Sequence, residues 1–206
     1  MDLYVQYGCG LISPEGWMNF DASPSLRLQK IPLLGKLSPV QFPGSVRFGD
    51  IRPGLPLKDG SVKGIYCSHV LEHLALDDFR LAIRNTFKVL RPGGIFRLCM
   101  PDLRTMTKTY LANPSPDAAV TFLAYSHLGR ENRPRGLKGL LRQWLGNSDH
   151  LWMWDFESLQ PELANAGFVA IRRAAVGDSG DPAFAAVEDP IRWDLKESFG
   201  VHCEHP

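Results

Sequence analysis

Short apolar runs over residues 1–102 stop, one after another, at glycines and polar turn residues, and this punctuation is what most constrains the fold. Leu3-Tyr4-Val5-Gln6-Tyr7 ends at Gly8-Cys9-Gly10, and Gly16-Trp17-Met18-Asn19-Phe20 ends at Asp21. Val46-Arg47-Phe48 ends at Gly49-Asp50, Gly64-Ile65-Tyr66-Cys67 at Ser68-His69, and residues 95–100 at Pro101-Asp102. Runs of this length bounded by turn residues predict strands. They are continuous more than alternating, as in a sheet buried on both faces. Phe79, Ala82, Ile83, Phe87 and Leu90 share one stripe. A helix is therefore predicted over about 78–90, capped by Asp77 or Asp78 and stopped by Arg91-Pro92-Gly93-Gly94. Ser115-Pro116 is expected to open another helix, with Val120, Leu123 and His127 on one face. A third is expected near 158–165, with Pro161 in its first turn, before strands at 168–171 and Phe199 to Cys203. Strands alternating with helices, with glycines and acids at strand ends, predict a doubly wound α/β sheet whose ligand lies beyond those ends.

Composition narrows the function. The 206 residues carry a net charge of +1 and are 44% hydrophobic, which fits one globular domain and not a chain built to coat a phosphate backbone. No apolar run reaches membrane-spanning length, and no basic-then-apolar leader follows Met1, so a cytoplasmic location is expected. Cys9, Cys67, Cys99 and Cys203 are widely spaced, which predicts free thiols and neither a disulfide framework nor a zinc finger. Charge is uneven. Residues 130–142 are basic, and residues 177–197 set six acids against Arg192 and Lys196.

Three strand ends together outline a nucleoside. The glycines of Gly8-Cys9-Gly10 let backbone approach a ligand. Asp21 can accept from ribose hydroxyls, and Asp50 from an adenine amino group. Taken singly, each acid is as well explained as a turn residue or helix cap.

In order along the chain stand Tyr7-Gly8-Cys9-Gly10, Asn19-Phe20-Asp21-Ala22-Ser23, Gly49-Asp50-Ile51 with residues 55–62, His69-Val70-Leu71-Glu72-His73-Leu74, and Val89-Leu90-Arg91-Pro92-Gly93-Gly94. This series resembles the class I S-adenosylmethionine-dependent methyltransferases, most nearly their small bacterial type 11 members, which often accompany polysaccharide genes. The resemblance covers residues 3–102, and His150 to Phe168 looks like the family's later part. It implies a Rossmann-like, mostly parallel α/β sheet with its last strand antiparallel and helices on both faces. It implies S-adenosylmethionine as cofactor, with Gly8, Cys9 and Gly10 at the methionine end, Asp21 on the ribose, Asp50 and Ile51 at the adenine, and Ser68 and His69 facing cofactor or substrate. One domain is expected over 1–206: a cofactor-binding half at 1–102, a helical cap at 103–150 and C-terminal strands at 151–206. The expected reaction is methyl transfer to a small-molecule or saccharide acceptor, at oxygen, with His73, Asp102 and His150 as catalytic candidates, no metal and no nucleic acid.

The chain departs from the family at one place. Position 12 is Ile where the family has a third glycine, and residues 8–16 alone separate the first two strands. A parallel crossover normally takes a dozen residues or more, so a tight loop and an altered methionine end are expected. A non-catalytic binding or scaffold module is the alternative reading. A lesser one is a metal enzyme: His69-x-x-Glu72-His73 matches the H-x-x-E-H pattern of inverted zinc peptidases, which needs both histidines on one helix face. Some RNA methyltransferases hold a metal on a similar segment, with a later histidine such as His127 or His150. The basic window would act as a lid over an acidic substrate or, more simply, as a solvated helix. The apolar-basic segment 26–37 is expected to pack over the sheet, and Trp152 and Trp154 in the core.

Overall fold

The computed structural model describes residues 2–33, 35–130, 135–136, 149–194 and 197–206; most of the basic window lies outside them. Among the described residues one sheet contains β1 (Tyr4–Tyr7), β2 (Trp17–Asp21), β3 (Arg47–Phe48), β4 (Val62–Ser68), β5 (Leu90–Pro101), β6 (Val169–Ala174) and β7 (Ser198–Glu204). Their order across the sheet is β3-β2-β1-β4-β5-β7-β6. β1 to β5 pair in parallel, and β7 is antiparallel to both of its neighbours. The chain is a Rossmann-like α/β fold, and each expected strand is present. No described helix is long and apolar enough to cross a membrane.

The helices are α1 (Pro24–Gln29), α2 (Leu76–Val89), α3 (Leu103–Ala112), α4 (Ala118–Tyr125), α5 (Phe156–Asn165) and the short α6 (Pro190–Asp194). The stripe on α2 buries Phe79, Ala82 and Ile83 against Val5, Ile65 and Phe96 of the sheet, and Leu159 and Leu163 of α5 join the same core. Several local expectations shift. Ala75 caps α2, and Asp77 and Asp78 fall in its first turn, where they favour the positive end of the helix dipole. Residues 91–94 do not simply stop α2. They interrupt β5 between the pairings Leu90–Val62 and Ile95–Gly64. Pro161 sits inside α5, which starts earlier than expected because Asp155 and Ser158 form a capping box. Val120 and Leu123 on α4 are exposed rather than packed.

The opposite face of the sheet holds the main departure from the ordinary doubly wound layout. Residues 8–16 join β1 to β2 without a helix, as expected from their number. That would leave Tyr4, Trp17 and Tyr66 uncovered. The connection from β6 to β7 covers them instead, as a strap that runs out across the sheet and returns. Phe184 of the strap is fully buried on Tyr4 and Trp17 at ring separations of 6.4 and 5.4 Å. The Tyr4 hydroxyl donates to Asp181 at 2.7 Å, Trp17 Nε1 donates to the Ala183 carbonyl at 3.2 Å, and Trp193 Nε1 donates to the Tyr66 hydroxyl at 2.8 Å. The acidic tail thereby loses its apparent excess charge. Asp181 pairs with Lys63 at 3.1 Å, and Asp178 and Glu188 both pair with the fully buried Arg97.

The strap should loosen in acid. Burial works to raise the Asp178 carboxyl, but hydrogen bonds from Arg172, the Ala175 amide and Arg97 outweigh it and hold it well below the usual carboxylate range. A group depressed on folding stabilises above its unfolded pKa, ~3.9 for Asp, and that contribution is lost as pH falls through the folded value. Tryptophan fluorescence, reporting Trp17 and Trp193, should therefore change below about pH 4, and Asp178→Asn should flatten that acid limb.

Candidate functional site

At the carboxyl end of β1 the chain turns sharply, with Gly8 at φ +66° and Gly10 at φ +57°. Asp21, at the tip of β2 and only 6% exposed, holds this turn: Oδ2 accepts from the Gly10 amide at 2.9 Å and Oδ1 from the Ser23 amide at 2.8 Å. A carboxylate has about four lone-pair sites, so two remain for a ligand. One strand further out, Asp50 accepts a bidentate pair of bonds from Arg52, Nε to Oδ1 at 3.1 Å and Nη2 to Oδ2 at 2.6 Å. Burial works to raise the Asp50 carboxyl, and Arg52 outweighs it, so the group stays below the ordinary carboxylate range.

The two glycines serve different ends. A Cβ on Gly8 would meet Val70 Cγ2 at 2.0 Å, so Gly8 makes room for Val70 rather than for a ligand. A Cβ on Gly10 would meet only Arg192 Nη2, at 3.9 Å. Cys9, between them, points inward. Its side chain is fully buried with Leu26, Phe42 and Val46, and burial pushes its thiol up to about 12, so only its backbone belongs to the turn. Ile51 likewise turns its side chain into the main core.

At the tip of β4, Ser68 Oγ is buried with no hydrogen-bond partner among the described residues, and His69 takes a left-handed conformation at φ +53°. His69 Nε2 lies 3.2 Å from the Arg192 carbonyl, so that nitrogen is the donor. Strap helix α6 therefore ends at the mouth of the crevice and delivers Arg192 beside Gly10. No ion pair engages the Arg192 guanidinium among the described residues. Burial works to lower His69, and the Glu72 carboxylate outweighs it, leaving the ring's pKa raised.

Glu72 and His73 belong to a single 3-10 turn, Leu71–His73. His69 precedes it, so the two histidines do not share a helix face, and the peptidase arrangement is absent. The loop at 149–152 meets the turn instead. The Leu151 and Trp152 amides donate to the Glu72 carbonyl at 2.8 and 3.2 Å, and His73 Nδ1 donates to the Asp149 carbonyl at 3.0 Å. This places the His150 ring 4.8 Å from that of His73. Asp102 does not stand free beside them. It caps α3, accepting from the Arg104 amide and the Thr105 hydroxyl, each at 3.0 Å.

The seven-strand order with one antiparallel strand has counterparts among known proteins. Residues 27–98 match the profile of the Methyltransf_11 family, described as a methyltransferase domain. That stretch is similar to a methyltransferase domain over about a third of the chain. Solved structures of similar fold include PigF with S-adenosylhomocysteine, at 16% identity and a TM-score of 0.52 over 100% of this chain and 56% of that one. A methyltransferase of Thermotoga maritima matches at 14% and 0.52, over 100% of this chain and 83% of that one. Phosphoethanolamine N-methyltransferase 2 of Haemonchus contortus, in complex with S-adenosylmethionine, matches at 10% and 0.51, over 100% and 49%. The chain thus spans about half the length of two of these proteins and most of the third. No curated protein sequence matches it.

Gly10, Asp21, Asp50, Ser68 and His69 gather along the predicted strand tips, and His73 and His150 meet beside β4. Arg192 was not foreseen, because nothing in the local sequence of an acidic tail places one of its two bases at the opposite end of the chain's fold. A cavity of about 570 Å³ opens beside α6, lined by Arg173, Pro190, Ile191, Trp193 and Phe199 among others. None of the predicted cofactor residues lines it, so it is not assigned to the cofactor.

Proposed function

We propose that the chain transfers the methyl group of S-adenosylmethionine to a hydroxyl of a small-molecule acceptor, saccharides included. The observation that carries this reading is the Asp21–Gly10 clasp at the tips of β1 and β2, in a chain of which residues 27–98 match a methyltransferase domain. Asp21 keeps lone pairs for the ribose hydroxyls, Asp50 lies one strand further toward the adenine, and Arg192 stands at the glycine turn to take the methionine carboxylate. The displacement at sulfur has a neutral leaving group, so most of the catalysis is alignment, an effect worth up to about 7–11 kcal/mol. A hydroxyl acceptor also needs its proton removed or acidified, typically ~10²–10⁴-fold in rate. Glu72, His73 and His150, beside the β4 tip, are the groups available for that.

Cofactor binding is the direct test. S-adenosylmethionine or S-adenosylhomocysteine at 100 times its dissociation constant should stabilise the protein by about 2.7 kcal/mol. Asp21→Ala and Arg192→Ala should each weaken binding by about 1.5–3 kcal/mol, through loss of charge-assisted hydrogen bonds. Calorimetric titration of the folded variants measures this. Unchanged affinity in Asp21→Ala removes the ribose role, and a wild-type chain that binds neither compound is a scaffold rather than an enzyme.

A further inference from the structure

The strongest unexplained feature is a buried carboxylate with no hydrogen bond. Glu72 is 1% exposed, and among the described residues neither Oε1 nor Oε2 has a hydrogen-bond partner. His69 Nδ1 lies 3.4 Å from Oε1, near enough for an ion pair but outside hydrogen-bond geometry, and it leaves Oε2 unserved. A carboxylate taken from water without compensation is costly, so such a group marks a missing partner. His150 Nδ1 is buried and unpartnered too. His73 gives its Nδ1 proton to a carbonyl, which leaves the lone pair on Nε2. One ligand atom from each of Glu72, His73 and His150 lies within 4.8 Å of the others.

We propose that Glu72, His73 and His150 bind a divalent first-row transition cation of the zinc class. Two imidazoles and a carboxylate are a donor set that suits such an ion, with bonds of about 2.0–2.2 Å. A tetrahedral shell of that size brings its ligands to about 3.3 Å from each other, so the three side chains close in modestly on binding. The backbone is already set for it. The amides of residues 151 and 152 hold the Glu72 carbonyl, the Asp149 carbonyl orients His73, and the His150 amide donates to the His127 carbonyl at 3.1 Å. A carbonyl fixing the far nitrogen of a liganding imidazole is the usual outer support of a metal site. The peptidase pattern in the sequence named the wrong second histidine: the fold replaces His69 by His150. Three protein ligands leave a position for water or an acceptor oxygen. That acceptor role rests on the methyltransferase reading; the cation site does not.

The test is titration of chelator-treated, full-length protein with Co²⁺ and with Zn²⁺, read by visible absorption and by melting temperature, with no methyl donor present. Wild type should take up one Co²⁺ per chain, with the ligand-field bands of nitrogen and oxygen coordination, and either cation should raise its melting temperature. Glu72→Gln and His150→Ala should each weaken binding at least about 100-fold. In chelator, Glu72→Gln should melt no lower than wild type, because it gives up only the long His69 contact and relieves a buried carboxylate that has no hydrogen bond; a purely structural Glu72 would make it melt lower. Wild type lacking both the bands and the thermal shift overturns the site, as does undiminished binding by His150→Ala. Failure of cofactor binding in the preceding test leaves this result untouched.

Discussion

Arg97→Ala should lose about 3–5 kcal/mol of stability, the usual cost of stranding one member of a buried ion pair. Arg97 lies on β5, facing the strap, and is fully buried. Its Nε donates to Glu188, its Nη1 to Asp178 at 2.7 Å and its Nη2 to the Ala175 carbonyl at 2.8 Å. The Glu188 side chain is as inaccessible as that of Arg97, so without the guanidinium its charge has nowhere to go. The same chemistry predicts a rescue. Arg97→Met combined with Glu188→Leu removes both charges and leaves apolar volume under the strap, and should recover most of the loss. Urea denaturation of the two variants decides the matter. A cost under about 1 kcal/mol in Arg97→Ala would mean that the strap is anchored by Phe184 and its neighbours alone.

Gly8→Ala should cost about 2–5 kcal/mol, from two separable sources. The left-handed backbone at φ +66° costs an L-residue roughly 1–2 kcal/mol. The new methyl would also lie 2.0 Å from Val70 Cγ2, and overpacking of that kind typically costs about 1–3 kcal/mol. Adding Val70→Ala should relieve the steric part and leave the backbone part, so the double mutant should regain about half of the loss. Val70 lies between His69 and the Glu72 turn, so Gly8→Ala should also disturb the β4 tip and reduce cofactor affinity in the protein that remains folded. Full additivity of the two substitutions would show that Val70 does not set the requirement for glycine.

How much of this was legible beforehand varies with the range of the interaction concerned. The strands were legible because apolar runs and the turn residues that end them are neighbours in sequence. Asp21 was legible as a strand-tip acid, although its grip on the Gly10 amide is a tertiary contact. Asp102 has a second duty that its position after a strand did not announce: the residue after a strand is also the residue before a helix, and it caps α3. The direction of the Cys9 side chain was not legible either: a side chain in a turn can point inward, and this one packs with Leu26, Phe42 and Val46.

The sequence alone determined where the strands lie, which of them end in glycine or acid, and that residues 8–16 are too few to contain a crossover helix. Those features depend on short continuous apolar runs and on the backbone preferences of the turn residues that end them, and both act locally. Tertiary structure decided what covers the face that the missing helix leaves bare, and with it the arrival of Arg192 beside Gly10; it also decided, through the loop at 149–152, that His150 lies beside Glu72. Such pairings join residues far apart in the chain. They are selected by desolvation, because a bare aromatic face and a buried charge must each find a partner, and the spacing along the sequence does not say which partner lies in reach.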